Sequence, residues 1–376
     1  MKKPGKKTPS ERATDDAAPA ASHLAPGGVR PEAPRWRAWG VQVALVAGAA
    51  ILLYLGLASW SDPGQVVAVV RGFSLRAAAV VGGLVVLGLA LRAVRWQLYT
   101  RILGLGIPAA PSIFAFVAGF AFTATPGKVG EVVKSFLLKR RFDVPLSSTA
   151  ASLLVERVTD LLAILLLAMV GLARGGLGGG PLALGVEGGS AWLLIAGVLA
   201  VGFAIAFLAN ARLRRSMLIV LSRVPGLARL TSALPSLLDS SRQLLTPVPL
   251  MAGLALATAA WSCEALALAL ILDALGVEVP RAGAFFAFAA SSLLGVLSML
   301  PGGLGGFEAT MVILLGRIGV TKSIAVAATL LFRLGTLWLV SCLGLLVLAS
   351  WMLVYGRGES HGGKRVPESR ESSGSR

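Results

Sequence analysis

The chain has 376 residues, of which 56% are hydrophobic and only 14% are charged, yet its formal net charge is +17. No stretch is both polar enough and long enough to fold as a soluble catalytic domain. Several apolar runs approach the roughly 20 residues of a transmembrane helix. The basic residues flank these runs without interleaved aromatic side chains, which favours loops beside anionic lipid headgroups over nucleic-acid binding. Cysteines confined to apolar segments and histidines confined to polar tails indicate no disulfide framework, no metal site and no cofactor.

The hydropathy pattern predicts an all-α, polytopic membrane helix bundle with about six full spans. We place these spans at residues 40–60, 74–100, 146–173, 191–209, 248–275 and 322–355. The transmembrane domain therefore covers 40–355, between a basic tail at 1–39 and a polar tail at 356–376, both expected to be disordered. Arginines are mixed with leucines over 212–247, a pattern typical of an amphipathic helix on the membrane surface.

Two proline-glycine breaks, one in each half of the chain, interrupt apolar segments. The segments 111–125 and 128–138 flank the first break, and 281–318 contains the second. The limbs of the first pair are too short to cross about 30 Å of hydrocarbon as ordinary helices. We therefore interpret each pair of limbs as a re-entrant helical hairpin. A hairpin that crossed the membrane twice would return the chain to the same side, so the orientation of the loops does not depend on this choice. The residues expected to act as hinges at the breaks are Pro126, Gly127, Gly130, Pro301, Gly302 and Gly303.

The distribution of lysine and arginine predicts which side of the membrane each loop faces. The basic segments are the two tails, the clusters at 92–101 and 139–141, and the loop at 212–242, whereas the intervening loops are poor in basic residues. The positive-inside rule then places both termini in the cytoplasm, with the chain in the inner membrane. The units 74–173 and 248–355, each a span, a hairpin and a span, acquire opposite orientations. Inverted repeats with broken helices are an architecture of transporters.

Ionisable residues inside apolar segments are the candidate functional residues, because they are costly there unless they pair or meet water. The half-helix after the first break presents unpaired N–H groups that, together with Lys128, are suited to a phosphate headgroup. Glu131 either senses or gates that charge or simply caps the half-helix, and Lys134 pairs with Glu131 or contacts the phosphate. The full set of candidate substrate-binding residues is Lys128, Glu131, Lys134, Glu156, Arg157, Asp160, Glu308 and Arg333.

Three of these candidates lie close together on one side of the span at 146–173. Glu156 and Asp160 have i, i+4 spacing, and Arg157 and Asp160 have i, i+3 spacing. They form either part of a substrate path or a structural ion-pair cluster that locks two helices together.

The remaining buried cations need partners from other segments. Arg333 has no acidic neighbour in its own helix, and Glu308 and Glu264 are the candidates to pair with it. Arg92 and Arg95 are interpreted as membrane-edge residues whose side chains snorkel towards the headgroups.

Four motifs follow one another along the chain: Arg92-Ala93-Val94-Arg95-Trp96, Pro126-Gly127 with Gly130-Glu131, Glu156-Arg157 with Asp160, and Pro301-Gly302-Gly303 with Gly305 and Glu308. Their order and spacing resemble the integral-membrane region of lysylphosphatidylglycerol synthases, a flippase-like family, over about residues 40–355. The resemblance implies translocation of a lipid. In the two-part synthases a separate C-terminal domain transfers lysine, and since this chain ends soon after its last span, synthase activity is not expected. Lys128 and Lys134 depart from the Gly and Arg that are frequent in the family.

The sequence as a whole favours a flippase or scramblase that moves a phospholipid or lipid-linked headgroup between the leaflets of the plasma membrane, and not an enzyme. The expected partners are membrane phospholipids with anionic or aminoacylated headgroups, and a lipid-modifying enzyme is a further candidate. No Gly-x-x-x-x-Gly-Lys-Ser/Thr loop occurs, so no nucleotide is expected to drive transport. The alternatives are a membrane enzyme that uses buried carboxylates as acid and base, a non-transporting partner of a lipid-modifying enzyme, and a conventional ion or solute carrier.

Overall fold

The computed structural model describes residues 36–123, 130–174, 197–199, 202, 206, 210 and 228–355. These residues form helices and contain no β-strand, which confirms the predicted all-α class. The principal helices are α1 (Trp36–Ser61), α2 (Pro63–Gly72), α3 (Leu75–Ile102), α4 (Ala109–Ala118), α5 (Gly130–Phe142), α6 (Leu146–Ala173), α7 (Ala228–Leu244), α8 (Pro247–Ala274), α9 (Arg281–Leu297), α10 (Gly306–Arg317), α11 (Lys322–Arg333) and α12 (Val340–Tyr355). A 3₁₀ turn at Gly119–Phe122 extends α4, another at Pro301–Gly303 precedes α10, and a π-helical turn at Leu334–Leu339 joins α11 to α12.

Within the described part of the chain, four helical segments are long and apolar enough to cross a membrane. They are Ala44–Ser61, Leu75–Ile102, Pro247–Ala274 and Lys322–Val354. These segments coincide with four of the predicted spans. A further predicted span is α6, whose 28 residues measure about 42 Å but include three charged side chains. The span predicted at 191–209 and the two tails lie largely outside the described residues.

The first span is followed at once by a short helix that the sequence analysis did not predict. The Asp62 side chain caps α2 by accepting hydrogen bonds from the N–H groups of Gly64 and Gln65, at 3.0 and 3.2 Å. Pro63 supplies the first helical residue, where its missing N–H costs nothing. Ser74 then caps α3. Residues 61–64 have the composition of a turn, and they also begin a helix.

Small residues bring α3 and α8, the first helices of the two predicted repeat units, into close contact. A Cβ atom on Gly88 would lie 3.2 Å from the carbonyl oxygen of Ala260. One on Gly253 would lie 1.9 Å from the Tyr99 hydroxyl. Neither position can take a larger side chain without a shift of its neighbour.

Each hairpin packs its first limb against the last long helix of the other unit. In one contact, a Cβ atom on Gly171 of α6 would lie 2.9 Å from the backbone nitrogen of Phe286 on α9. In the other, a Cβ atom on Gly344 of α12 would lie 2.3 Å from the backbone nitrogen of Ala121, in the 3₁₀ turn after α4. This reciprocal exchange is the pattern expected of two related units, whose opposite orientation stays a prediction.

The break in the second hairpin falls where the sequence predicts an interruption. The first predicted break, with Pro126 and Gly127, lies outside the described residues, and Gly130 begins α5. The second holds several left-handed backbone conformations, with φ of 53° at Met299, 61° at Gly302, 68° at Gly303 and 86° at Gly305. Glycine adopts such angles without the steric cost of a side chain, which explains the glycine-rich sequence after Pro301.

Helix α7 lies within the segment predicted to be an amphipathic surface helix. Its Leu238 and Leu244 are buried, and Ser240 lies 3.4 Å from Ser148 at the start of α6, oxygen to oxygen. The apolar face of α7 therefore packs against protein.

Candidate functional site

A buried ion pair joins the second limb of hairpin one to the next long helix. The Lys134 Nζ on α5 lies 2.9 Å from the Glu156 Oε2 on α6, and the two side chains are 3% and 2% exposed. A charge so far from water is stable only with a partner, and removing one partner strands the other. The pair therefore links α5 to α6.

Aromatic rings enclose the Lys134 ammonium on its other side. Its Nζ lies 4.0 Å from the centre of the Trp96 ring and 4.8 Å from that of Phe116. Trp96 is fully buried, and its indole N–H donates a 3.0 Å hydrogen bond to Ser112 on α4. Cation–π attraction adds to the ion pair when the cation is desolvated. Helices α3, α4, α5 and α6 thus meet around one lysine.

Asp160 collects contacts from three helices. Its Oδ1 accepts hydrogen bonds from Arg95 Nη1 on α3, at 2.7 Å, and from the indole N–H of Trp261 on α8, at 3.1 Å. Its Oδ2 lies 3.7 Å from Arg157 Nη2 on the same helix. Arg95 also donates to Thr159 Oγ1 at 3.1 Å. Asp160 is therefore the point where α3, α6 and α8 are held together.

The interpretation of Arg92 and Arg95 as snorkelling residues is wrong. Arg95 is 2% exposed and pairs with Asp160. Arg92 pairs with Glu264 on α8 at 2.6 Å, and its guanidinium lies 4.7 Å from the centre of the Trp261 ring. The physical reason is that both acidic partners come from other helices, so the local sequence of α3 shows only unpaired cations.

A second buried ion pair forms at hairpin two. Arg333 Nε at the end of α11 donates to Glu308 Oε1, and Arg333 Nη2 donates to the Gly302 carbonyl oxygen at 2.8 Å. The other Glu308 oxygen accepts from the Gly305 N–H at 2.7 Å and so caps α10. The Arg333 guanidinium also lies 4.4 Å from the centre of the Phe307 ring. Of the two candidate partners of Arg333, Glu308 forms the pair, whereas Glu264 pairs with Arg92.

Tyr54 connects the second pair to helix α1. Its hydroxyl accepts a 3.4 Å hydrogen bond from the indole N–H of Trp338 and interacts with the Arg333 guanidinium. Trp338 lies in the π-helical turn that begins directly after Arg333. Such turns are rare and often mark functional positions.

We name the residues around Lys134 and Asp160 the first cluster and the residues around Glu308 and Arg333 the second cluster. Both clusters tie the second limb of a hairpin to the next long helix, but with opposite polarity. The cation is on the hairpin limb in the first cluster and on the long helix in the second. Gly335 lies against Val81 on α3, where a Cβ atom would meet the valine side chain at 3.8 Å. Arg95 follows Val81 by fourteen residues, so Arg95 and the contact of the turn that follows Arg333 lie about 21 Å apart along α3.

Buried polar atoms of the first cluster, among them Arg95 Nε and Glu156 Oε1, have no hydrogen-bond partner among the described residues. Buried polar groups are normally paired with protein or with ordered water. The arrangement therefore favours water at this site.

The structure brings together most of the candidate residues that it describes. Lys134, Glu156, Arg157 and Asp160 meet in the first cluster, and Glu308 and Arg333 meet in the second. Lys128 and the side chain of Glu131 lie outside the described residues. Several further members were not among the candidate substrate-binding residues, since their only local signal is an aromatic ring or a charge inside an apolar helix. These are Arg92, Arg95, Trp96, Trp261 and Glu264 in the first cluster, and Tyr54 and Trp338 in the second.

Comparison with known proteins finds a matching family and relatives that cover different shares of this chain. The family model described as the lysylphosphatidylglycerol synthase TM region matches residues 41–344. A protein named Glycosyltransferase AglD, from Haloferax volcanii, is 29% identical over 330 residues, which cover 77% of this chain and 51% of that protein. Two matches named UPF0104 membrane protein, from Methanothermobacter thermautotrophicus, are 29% and 33% identical, each over 31% of this chain and 35% of the relative. The chain thus spans about half or less of the curated relatives it matches.

Proposed function

The chain belongs to the family defined by the lysylphosphatidylglycerol synthase transmembrane region, and on that premise we propose that it moves a lipid headgroup between the leaflets of a membrane. It acts as a flippase or scramblase for a phospholipid or lipid-linked headgroup, and not as an enzyme. Its partners are phospholipids with anionic or aminoacylated headgroups. The proposal includes both termini in the cytoplasm and the two hairpins entering the membrane from opposite sides.

The observation that carries the proposal is the pair of buried charged clusters at the two helix breaks. Arg95 and the contact of the turn that follows Arg333 lie about 21 Å apart along α3, against a hydrocarbon thickness of about 30 Å. Two such clusters can therefore serve the two sides of the hydrocarbon core. Charged residues at such depth mark substrate or ion pathways, and broken helices in transporters supply their binding sites.

The chemistry of the clusters suits a phosphate-bearing headgroup. Each cluster contains an arginine or lysine already held by carboxylates, so an incoming phosphate competes with Glu156 or Asp160 in the first cluster and with Glu308 in the second. Arg157 is the first contact in the first cluster, because its side chain is 38% exposed and lies 3.7 Å from Asp160. Exchange of a carboxylate for a phosphate would loosen the hairpin from the adjacent helix and open the path.

The proposal is tested with purified protein in liposomes that contain a headgroup-labelled phosphatidylglycerol and a membrane-impermeant quencher. We expect protein-dependent loss of the inner-leaflet label, slowed in Arg157→Gln. Arg174→Gln is the matched control, because Arg174 is an exposed arginine that ends the same helix. Equal rates for the two variants, with folding intact, would remove Arg157 from the path. No flux for anionic, neutral or cationic lipids would contradict the function itself.

A second candidate function is favoured by one comparison. A relative named as a glycosyltransferase is matched by this chain over 51% of the relative's length. This partial match is consistent with a membrane part that works beside a lipid-modifying enzyme. On this view the charged clusters hold the fold and the partner performs the chemistry. Substitutions at Glu156 or Arg333 would then change stability or association with the enzyme, without any effect on a lipid flux.

A further inference from the structure

Helices α1, α2 and α11 border an open apolar cleft of about 460 Å³. Its walls are aliphatic side chains of α1 and α2 together with Leu330 of α11. This volume falls within the range of small-molecule sites, about 300–1,000 Å³. Since α1 and the α11–α12 segment are both long and apolar enough to span a membrane, lipid is the surrounding solvent of the cleft.

Arg71 is the charged residue among those that line the cleft. It lies in the last turn of α2, is exposed, and forms no ion pair with another described residue. A cation at an apolar, membrane-facing cleft is costly unless an anion or water meets it. A basic residue beside an anionic lipid headgroup is correspondingly favourable. The cleft therefore combines a site for a hydrocarbon chain with a site for a negative charge.

Tyr54 lines the same cleft and leads to the second cluster. Its hydroxyl accepts from Trp338, so its own hydrogen is available to donate to a ligand oxygen. Leu330 of the cleft precedes Arg333 by three residues and therefore lies on the same face of α11, one turn away. A phosphate held by Arg71 and Tyr54 would thus lie next to the Arg333–Glu308 pair.

We propose that this cleft binds an anionic phospholipid, with an acyl chain along α1 and α2 and the phosphate at Arg71 and Tyr54. The inference rests on the proposed function, because it gives the site from which a lipid reaches the second cluster. The occupant is a membrane lipid and not a protein segment: the cleft opens to the bilayer, and the charge that it offers is complementary to a lipid phosphate.

The test uses the full-length chain in nanodiscs with phosphatidylglycerol that carries a photoactivatable group on one acyl chain. Adducts are mapped by peptide mass spectrometry, and phosphatidylcholine with the same chain is the comparison lipid. We expect adducts on α1 and α2, fewer with phosphatidylcholine. Arg71→Gln should lower labelling on the order of fivefold, the effect of one basic residue near an anionic lipid. Ala58→Trp, which fills the cleft, should abolish labelling there.

Arg76→Gln is the matched control, because Arg76 is an exposed arginine in the first turn of α3 that does not line the cleft. Equal labelling by the two lipids, or equal labelling in Arg71→Gln and Arg76→Gln, would overturn the proposal. So would unchanged labelling in a folded Ala58→Trp protein. Photolabelling does not require lipid transport, so this experiment tests the binding site separately from the proposed function. If the expected adducts form but no lipid crosses liposome membranes, only the transport function is contradicted. If lipid crosses but no adducts form in the cleft, only the lipid-binding site is contradicted.

Discussion

The Lys134–Glu156 pair gives the sharpest quantitative prediction. At 2.9 Å and an effective dielectric constant of about 20, two unit charges attract by about 6 kcal/mol. Desolvation of the two charges offsets much of that attraction. The measurable quantity is therefore the loss of stability when one partner is removed and the other charge stays buried and unpaired, about 3–5 kcal/mol. We therefore expect Lys134→Met and Glu156→Gln each to destabilise the protein by that amount. The double variant should lose about 3 kcal/mol less than the sum of the two single losses.

The assay is reversible unfolding in mixed micelles, read as a double-mutant cycle. The control cycle uses Arg281→Gln and Asp273→Asn, which remove an ion pair of similar length, 2.8 Å, whose side chains are 56% and 41% exposed. Exposed pairs typically contribute about 0.2–1 kcal/mol. Additive effects at Lys134 and Glu156, or a coupling no larger than in the control cycle, would refute the claim that this pair holds hairpin one to α6.

Two further predictions concern packing and the centre of the first cluster. Gly344→Ala should destabilise the fold by on the order of 2 kcal/mol, because the new Cβ atom would lie 2.3 Å from the Ala121 nitrogen. Gly48→Ala is the control and should be nearly neutral, because no atom lies within 4 Å of its new Cβ atom. Equal thermal unfolding of the two variants would contradict the close helix contact. Trp261→Phe should cost about 2 kcal/mol, since it removes a hydrogen bond to the charged Asp160; an unchanged unfolding temperature would show that Asp160 does not depend on α8.

The helices and breaks were the predictable part of this fold. Apolar runs of the right length predicted the spans, because hydrophobicity is a property of each segment by itself. The same holds for the proline-glycine break at Pro301. The need of Arg333 for an acidic partner from another segment was also predictable, since it has no acidic neighbour in its own helix, but the choice between Glu308 and Glu264 was not.

The contacts of Arg95 could not be predicted from the sequence, for a physical reason. Its partner Asp160 is 65 residues away, and the choice between a snorkelling and a buried arginine depends on which face of α3 meets α6. From the sequence, Trp96 and Trp261 are equally consistent with lipid-facing anchors. Only the packing of the helices places them against Lys134 and Asp160. Helix α2 was not predicted because the residues that begin it, Asp62, Pro63 and Gly64, are also typical of a turn.

The most direct test of the central claim is whether this protein carries lipid across a bilayer. In vesicles without protein, an impermeant quencher should leave the inner-leaflet label of phosphatidylglycerol intact. With the wild-type chain reconstituted, that label should be lost over time, and more slowly in Arg157→Gln than in Arg174→Gln. Inner-leaflet label that stays protected in the presence of folded protein, for every headgroup charge, would contradict the account and leave the partner of a lipid-modifying enzyme as the better function.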